Sequence, residues 1–580
     1  MDNIAAAQAN RTTTENGCPS LRTAGDPRVD AFFKLVRGLS HESLEQHVDQ
    51  ILSHAQDHND PEICVDAFVL WASTRDVRGG KGERQLAHWL LISLARRFPQ
   101  TVVALLPLIP EYGSWRDVFA LLSLPDLPSA IGDALVEMTV NQLQKDSQEG
   151  CERPSLCGKW APRPKSALKE VAKQLAAALY PQEKHPLPVY RKMLSAVNKR
   201  LGTVEVAMAG HDWASIKPGA VPARCLKVHR AAFMNLTPSK KPRSESMDRQ
   251  QCATNFTEHA LLAASDPSKA RMHGRVLHPH EMVKEYMRHA SEDDVILEAQ
   301  WTDLRERLRE EMPNLGKMVP LCDVSGSMGG TPMEVAIALG VLISEVGAIR
   351  DRFITFSSNP QWHVMQPDWS LRQKVQSAMG AHWEMSTDFQ KALEMVLEAC
   401  VQGEVPPEEV GELSLVVLSD MQFDAARSNQ YGRQRQGSAW DTQYERLVKS
   451  FEKAGLESKW KQPYPVPRVI FWNLRGDTRD FPASATTPGV ECVSGFSPNL
   501  LKLFMEGGLE EMMASVSLAS EHSVKVVNPY ETLRKALDDP RYQRVREVCA
   551  QVGEGQMAGY VPPVLAEAVD DSDGFVMVTA

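Results

Sequence analysis

Apolar residues recur at helical spacing through the first half of the chain. Phe32 to Leu39, Leu44 to His54, Pro61 to Ser73, Glu83 to Phe98 and Trp115 to Leu122 each carry such a stripe, separated by Gly, Pro or Asp turns. Successive helices on short connections predict an α-helical domain over about 28–315. No clean internal repeat is visible, so the expected arrangement is irregular and HEAT-like.

The second half alternates instead. Met318 to Cys322, Arg352 to Phe356, Leu413 to Leu418, Val469 to Asn473 and Val490 to Val493 are short β-rich runs. Leu371 to Met379, Tyr444 to Ala454 and Pro498 to Met505 between and after them carry helical spacing. Such alternation predicts a mostly parallel sheet covered on both faces, a doubly wound α/β domain over about 316–537. In open sheets of this kind ligands bind outside the carboxyl ends of the strands. The remaining stretches predict a disordered N-terminus over 1–27, a C-terminal helix over 538–552 and a flexible tail over 553–580 carrying Asp570, Asp571 and Asp573.

Length agrees with more than one core, because 580 residues exceed what a single core usually holds. No apolar run approaches a membrane span, and the first residues lack the apolar stretch of a signal peptide. Ten cysteines are scattered with no Cys-x-x-Cys pair, which argues against a zinc knuckle or disulfide framework. A soluble cytoplasmic protein with reduced thiols is the expectation.

Chemistry concentrates at the end of the first β-rich run. Asp323-Val324-Ser325-Gly326-Ser327 places one carboxylate and two hydroxyls in a strand-to-helix turn. Oxygen-only donors suit a hard cation such as Mg²⁺, with Mn²⁺ as an alternative. Helix capping is the competing reading. Thr331, Pro332 and Glu334 already supply a capping box for the next helix, which leaves Asp323, Ser325 and Ser327 free. Further along, Ser386-Thr387-Asp388 opens a helical pattern, and Ser419-Asp420 ends the Leu413 to Leu418 run. These three segments, in this order, resemble the metal-ion-dependent adhesion site of von Willebrand factor A-like domains. The resemblance implies Asp323, Ser325, Ser327, Thr387 and Asp420 as the metal set, with an open position for a partner's carboxylate. Where that family often has Asp-Gly, this chain has Asp420-Met421.

A second resemblance rests on other stretches. Thr74 to Arg84, Tyr112 to Asp117, Lys159 to Pro162, Tyr190 to Lys192 and Leu277 to Glu281 resemble a family labelled domain of unknown function 2828, which joins a helical region to a C-terminal A-like domain. The likeness spans roughly 28–550. Its architecture is similar to that of the Ro ribonucleoproteins, whose helical-repeat ring binds small structured RNAs.

The net charge of −10 does not by itself favour RNA. Residues 151–200 are locally basic, however, with eleven Lys or Arg against three Asp or Glu. Lys159, Arg163, Lys165, Arg191, Lys192, Lys199 and Arg200 are the RNA-binding candidates; a solvated helical face is the plain alternative. Lys240-Lys241-Pro242-Arg243 marks a mobile basic loop near 236–250.

Enzyme readings find little support. Val77 to Glu83 lacks the spacing and preceding strand of a phosphate loop and reads as a basic inter-helix turn. His278 and His280 have no third metal ligand nearby. Nothing assembles a nucleophile, base and oxyanion site. The function expected is a non-enzymatic binding scaffold with a Mg²⁺-dependent adhesion site and RNA on the helical half. A metal-dependent protein–protein adaptor with no RNA role is the alternative.

Overall fold

The computed structural model describes residues 9–288, 292–313, 315–356, 359–380, 389–423, 443–505 and 527–552. Helices fill its first half: α1 (Pro27–Lys34), α2 (His41–Asp57), α3 (Pro61–Arg75), α4 (Arg84–Arg97), α5 (Trp115–Leu121), α6 (Ser129–Ser147), α7 (Cys157–Trp160), α8 (Lys169–Leu179), α9 (Pro186–Leu201), α10 (Ala223–Phe233), α11 (Met247–Ser265), α12 (His280–Arg288) and α13 (Val295–Glu311), with shorter turns between. Local chemistry sets their starts. Asp60 caps α3 by accepting from Glu62 N–H at 3.0 Å, with Pro61 at its first position. Ser114 and Asp117 form a capping box on α5.

The second half is a six-stranded sheet of β3 (Lys317–Asp323), β4 (Arg352–Phe356), β5 (Gln361–Val364), β6 (Leu413–Ser419), β7 (Arg468–Asn473) and β8 (Val490–Ser494), in the order β5-β4-β3-β6-β7-β8. All pairings are parallel except β4 with β5. Every residue of β6 is buried, as expected for a strand covered on both faces. Helix α14 (Thr331–Val346) packs on β3, and α15 (Leu371–Met379) on α14. Beyond them lie α16 (Phe389–Gln402) and α17 (Gln443–Glu457), then α18 (Pro529–Leu537) and α19 (Gln543–Val552). The edge strand β5 escapes the pattern reading because only Trp362 and Val364 are bulky apolar residues in its four positions.

One apolar core runs continuously from the helices into the sheet. Helix α1 lies against β8: Ser494 Oγ donates to the Phe32 carbonyl at 2.8 Å, and Asn473 Nδ2 donates to Phe33 O at 3.0 Å. Lys34 donates to Thr478 O at 2.6 Å and Asp480 O at 2.8 Å. Lys81, in the turn after α3, is fully buried and donates to Phe32 O at 2.5 Å, Leu35 O at 3.0 Å and Ser494 Oγ at 2.7 Å. The turn is basic as expected, but its lysine is an internal bolt between the two halves. Gly80 makes that geometry available, since a Cβ there would sit 2.0 Å from the Ser73 carbonyl.

Three expectations are corrected. The N-terminal stretch is not disordered throughout: β1 (Arg11–Thr13) and β2 (Pro19–Leu21) form an antiparallel hairpin with Cys18 buried. Its Thr14 hydroxyl donates to Phe423 O at 2.7 Å, and Asn16 Nδ2 to Gln422 O at 2.8 Å; these partners lie far along the chain, out of reach of local pattern. The capping box at α14 is absent. Thr331 is already helical, Gly330 precedes it at φ 92°, and Glu334 is drawn away to Lys284 at 2.8 Å. The stretch near 236–250 is a hydrogen-bonded turn, with Arg243 N donating to Asn235 O at 2.7 Å and α11 beginning at Met247. Residues 553–580 lie outside the described residues, and among the latter no helix is long and apolar enough to cross a membrane.

Candidate functional site

Parallel pairing of β3 with β6, with Cys322 opposite Leu418, brings Asp323 and the pair Ser419-Asp420 to one carboxyl edge of the sheet. Asp323 is fully buried. Its Oδ1 accepts from Ser325 N–H at 2.9 Å and its Oδ2 from the Ser419 hydroxyl at 2.6 Å. The Ser325 and Ser327 hydroxyls stand 3.1 Å apart. Asp420 is fully buried too. Its Oδ1 accepts from Gln422 N–H at 3.2 Å, whereas Oδ2 makes no hydrogen bond and has the Arg475 guanidinium 3.5 Å away.

Burial raises the pKa of both carboxyls, and for Asp323 the neighbouring Asp420 charge adds to it. The Ser327 hydroxyl and Arg475 offset part of the rise at Asp420. Four of the five expected metal residues, Asp323, Ser325, Ser327 and Asp420, therefore come together; Thr387 lies outside the described residues. Met421 occupies the left-handed region at φ 65°, so the backbone after Asp420 takes a shape glycine favours although methionine stands there. Sequence reasoning missed Ser419 and Arg475. The first was visible in the Ser-Asp pair ending β6; the second, two residues past β7, carried no motif. Among the described residues no group of three or more His, Cys, Asp or Glu side chains is placed to hold a metal ion.

A second feature is a cavity of about 1080 Å³ between the helices and the Ser497-Pro498-Asn499 turn. Residues from four of the motif stretches line it: Arg75 and Arg84, Gly113 and Arg116, Lys159 and Trp160, and Leu277 and His278. Asp117 organises the wall. It is buried, accepting from Arg75 at 2.8 Å, Arg84 at 2.7 Å and Ser114 N–H at 2.8 Å. Burial would raise its pKa, but the His88 hydrogen bond and the Arg75 charge reverse that and hold it well below the carboxylate range. Gly113 lets this pair close, since a Cβ there would fall 2.5 Å from Asp117 Oδ2.

The sequence-predicted RNA residues divide. Lys159 lines the cavity and lies 3.3 Å from Glu205. Lys165, Arg191, Lys192 and Lys199 are exposed on the outer helices α8 and α9 and the turn before them. Arg163 is half-buried, and Arg200 donates to Gln148 O at 2.7 Å and Asp146 O at 2.5 Å. Tyr190, read as interspersed with the basic residues, is buried and bonds Pro162 O at 3.0 Å. His278 and His280 stack at 5.5 Å, and His280 is buried against Phe496; no metal set forms around them.

Two family models match parts of this chain. Residues 14–127 match the family described as domain of unknown function DUF2828. The resemblance to that family holds. Residues 317–537 match a second family, domain of unknown function DUF7788, whose limits coincide with the sheet domain. An uncharacterised protein of Acanthamoeba polyphaga mimivirus is 28% identical over 544 residues, covering 90% of this chain and 89% of its own. The crystal structure of the Deinococcus radiodurans Ro (RSR) protein aligns over 83% of this chain and 99% of its own, at 14% identity and a TM-score of 0.30. That likeness is too low to carry a functional argument.

Proposed function

We propose that this chain is a non-enzymatic binding scaffold. In this reading the carboxyl edge of the sheet holds Mg²⁺ in the manner of a von Willebrand factor A-like domain, and the helical half holds RNA. The observation that carries the metal half is Asp420 Oδ2, a buried oxygen without a hydrogen bond, beside a second buried carboxylate and paired hydroxyls. Buried polar oxygens are rarely left so. The antiparallel edge strand on an otherwise parallel sheet, and the order of the loops, also support the A-like reading.

Asp323, Ser325, Ser327 and Asp420 would hold the ion, with Thr387 expected to add an oxygen; Mn²⁺ suits the same donors. The bound ion supplies an electrophilic position for an incoming carboxylate, from a partner protein or another segment of this chain. The protein's own part is orientation. Ser419 fixes Asp323, and Arg475 offsets charge at Asp420 while donating to Ser327 O at 3.0 Å.

Calorimetric titration of Mg²⁺ and Mn²⁺ into the full chain tests this. Asp323→Ala should lose metal uptake, and with it carboxylate-partner capture, while circular dichroism of the helical half is unchanged. Equal uptake by the variant, or capture that persists in EDTA, rejects the reading. A protein–protein adaptor with no RNA role is the second reading. It draws support from Lys159 and Arg200, two RNA candidates already engaged by their own chain.

A further inference from the structure

The cavity wall is unusually positive for an acidic protein. Seven Arg or Lys residues line it against two Glu, which favours an anion inside. Most of these cations are balanced: Arg75 and Arg84 by Asp117, Arg224 by Glu281 at 3.2 Å, and Arg275 by Glu311 at 3.0 Å. Arg116 makes no ion pair among the described residues. Its guanidinium instead stands 4.9 Å from the centre of the Trp160 ring, which Lys159 also approaches at 5.4 Å.

Apolar surface accompanies this charge. Trp160 is 36% exposed, and Leu156 (52%), Val228 (68%) and Val276 (50%) are exposed apolar side chains lining the same cavity. An anion alone would leave those groups wet. A ligand that joins a phosphate to a flat apolar ring satisfies both, because aromatic side chains and guanidinium planes stack on bases while guanidiniums bind phosphate.

We propose that this cavity is a nucleotide site, in which Arg116, with Arg84 and Arg224, receives the phosphate and Trp160 stacks on the base. The proposal rests on the nucleic-acid half of the function proposed above. It moves that half off the Arg191 and Lys192 face and owes nothing to the metal site. A free mononucleotide and a nucleotide within a single strand share the chemistry.

Anisotropy of a short fluorescein-labelled oligouridylate with the full chain tests it, with uridine monophosphate as competitor. Arg116 is exposed and Trp160 partly so, so Arg116→Glu and Trp160→Ala should keep the wild-type circular dichroism. Each is expected to weaken binding about tenfold or more, whereas Arg191→Glu with Lys192→Glu should change it by less than about twofold. Displacement by the mononucleotide assigns a small ligand, and displacement only by unlabelled strand assigns a strand; either supports the site. If structured RNA fails to bind while the short probe binds through Arg116, the cavity stands and the outer basic face falls. Absence of binding of both probes to the wild type, or binding unchanged in Arg116→Glu and Trp160→Ala, overturns the proposal.

Discussion

Asp30 shows how a single side chain couples this fold to pH. It lies in the first turn of α1, buried, with Oδ1 accepting from Ala24 N–H at 2.8 Å and Oδ2 from the Thr23 hydroxyl. Burial pushes its pKa up from 3.8 to about 6 despite those hydrogen bonds. The folded value exceeds the unfolded one, so its contribution to stability is complete below about pH 3.8 and is lost as pH rises through about 6. Asp30→Asn removes the titration. The stability of the wild type relative to that variant should therefore grow as pH falls from about 7 to about 4, measured by urea unfolding at several pH values; a difference that stays flat contradicts the assignment. At the sheet edge, residue-scale legibility was high where a motif existed. Asp323, Ser325, Ser327 and Asp420 stood in a recognisable order, and the parallel register of β3 and β6 brings them together. Ser419 and Arg475 belong to the same cluster through contacts across 96 residues and from a neighbouring strand end, which sequence spacing does not encode.

Elements far apart in sequence are tied through Asp66 on α3. Its buried carboxylate meets Arg28 of α1 at 3.0 Å, Arg534 of α18 at 2.7 Å and Arg546 of α19 at 2.9 Å. The helices that follow the sheet domain thus return to the first helices of the chain. Tyr112 adds to the junction by donating to Arg541 O at 2.9 Å, and the Arg28 guanidinium stands 5.3 Å from the Tyr530 ring centre. Without Asp66, Arg28 keeps Asp26, Arg534 keeps Asp538 and Arg546 keeps Glu62 and Asp538, so the loss is that of the charge-assisted hydrogen bonds to Asp66, about 1–3 kcal/mol. Asp66→Ala should lower stability by about that much and expose 529–552 to limited proteolysis before the remainder. A melting temperature and cleavage pattern like the wild type would show the node to be ornamental. The helices themselves were legible because their apolar stripes and caps are local, as at Asp60-Pro61. The α14 start was not, since Lys284 of α12 competes for the glutamate that would have capped it.

The whole molecule offers two basic surfaces, the exposed face of α9 and the arginine-lined cavity, and salt dependence separates them as sites for the proposed RNA. If structured RNA lies on the outer face, Arg191→Glu with Lys192→Glu should reduce the slope of log affinity against log salt by about two, one per phosphate contact. An unchanged slope in filter-binding titrations would exclude that face. The sequence by itself determined the division into a helical half and an α/β half, most element positions and the acid-and-hydroxyl turn, because periodicity, caps and strand-end motifs act over a few residues. Only the tertiary structure decided that Lys81 is an internal bolt, that the N-terminal hairpin packs beside the Asp420 loop, and that motifs near 80, 115, 160 and 278 face one cavity. Those outcomes depend on which apolar faces bury together and on long-range partners for buried charges. Such choices are made by the packed core as a whole, and no single segment carries them.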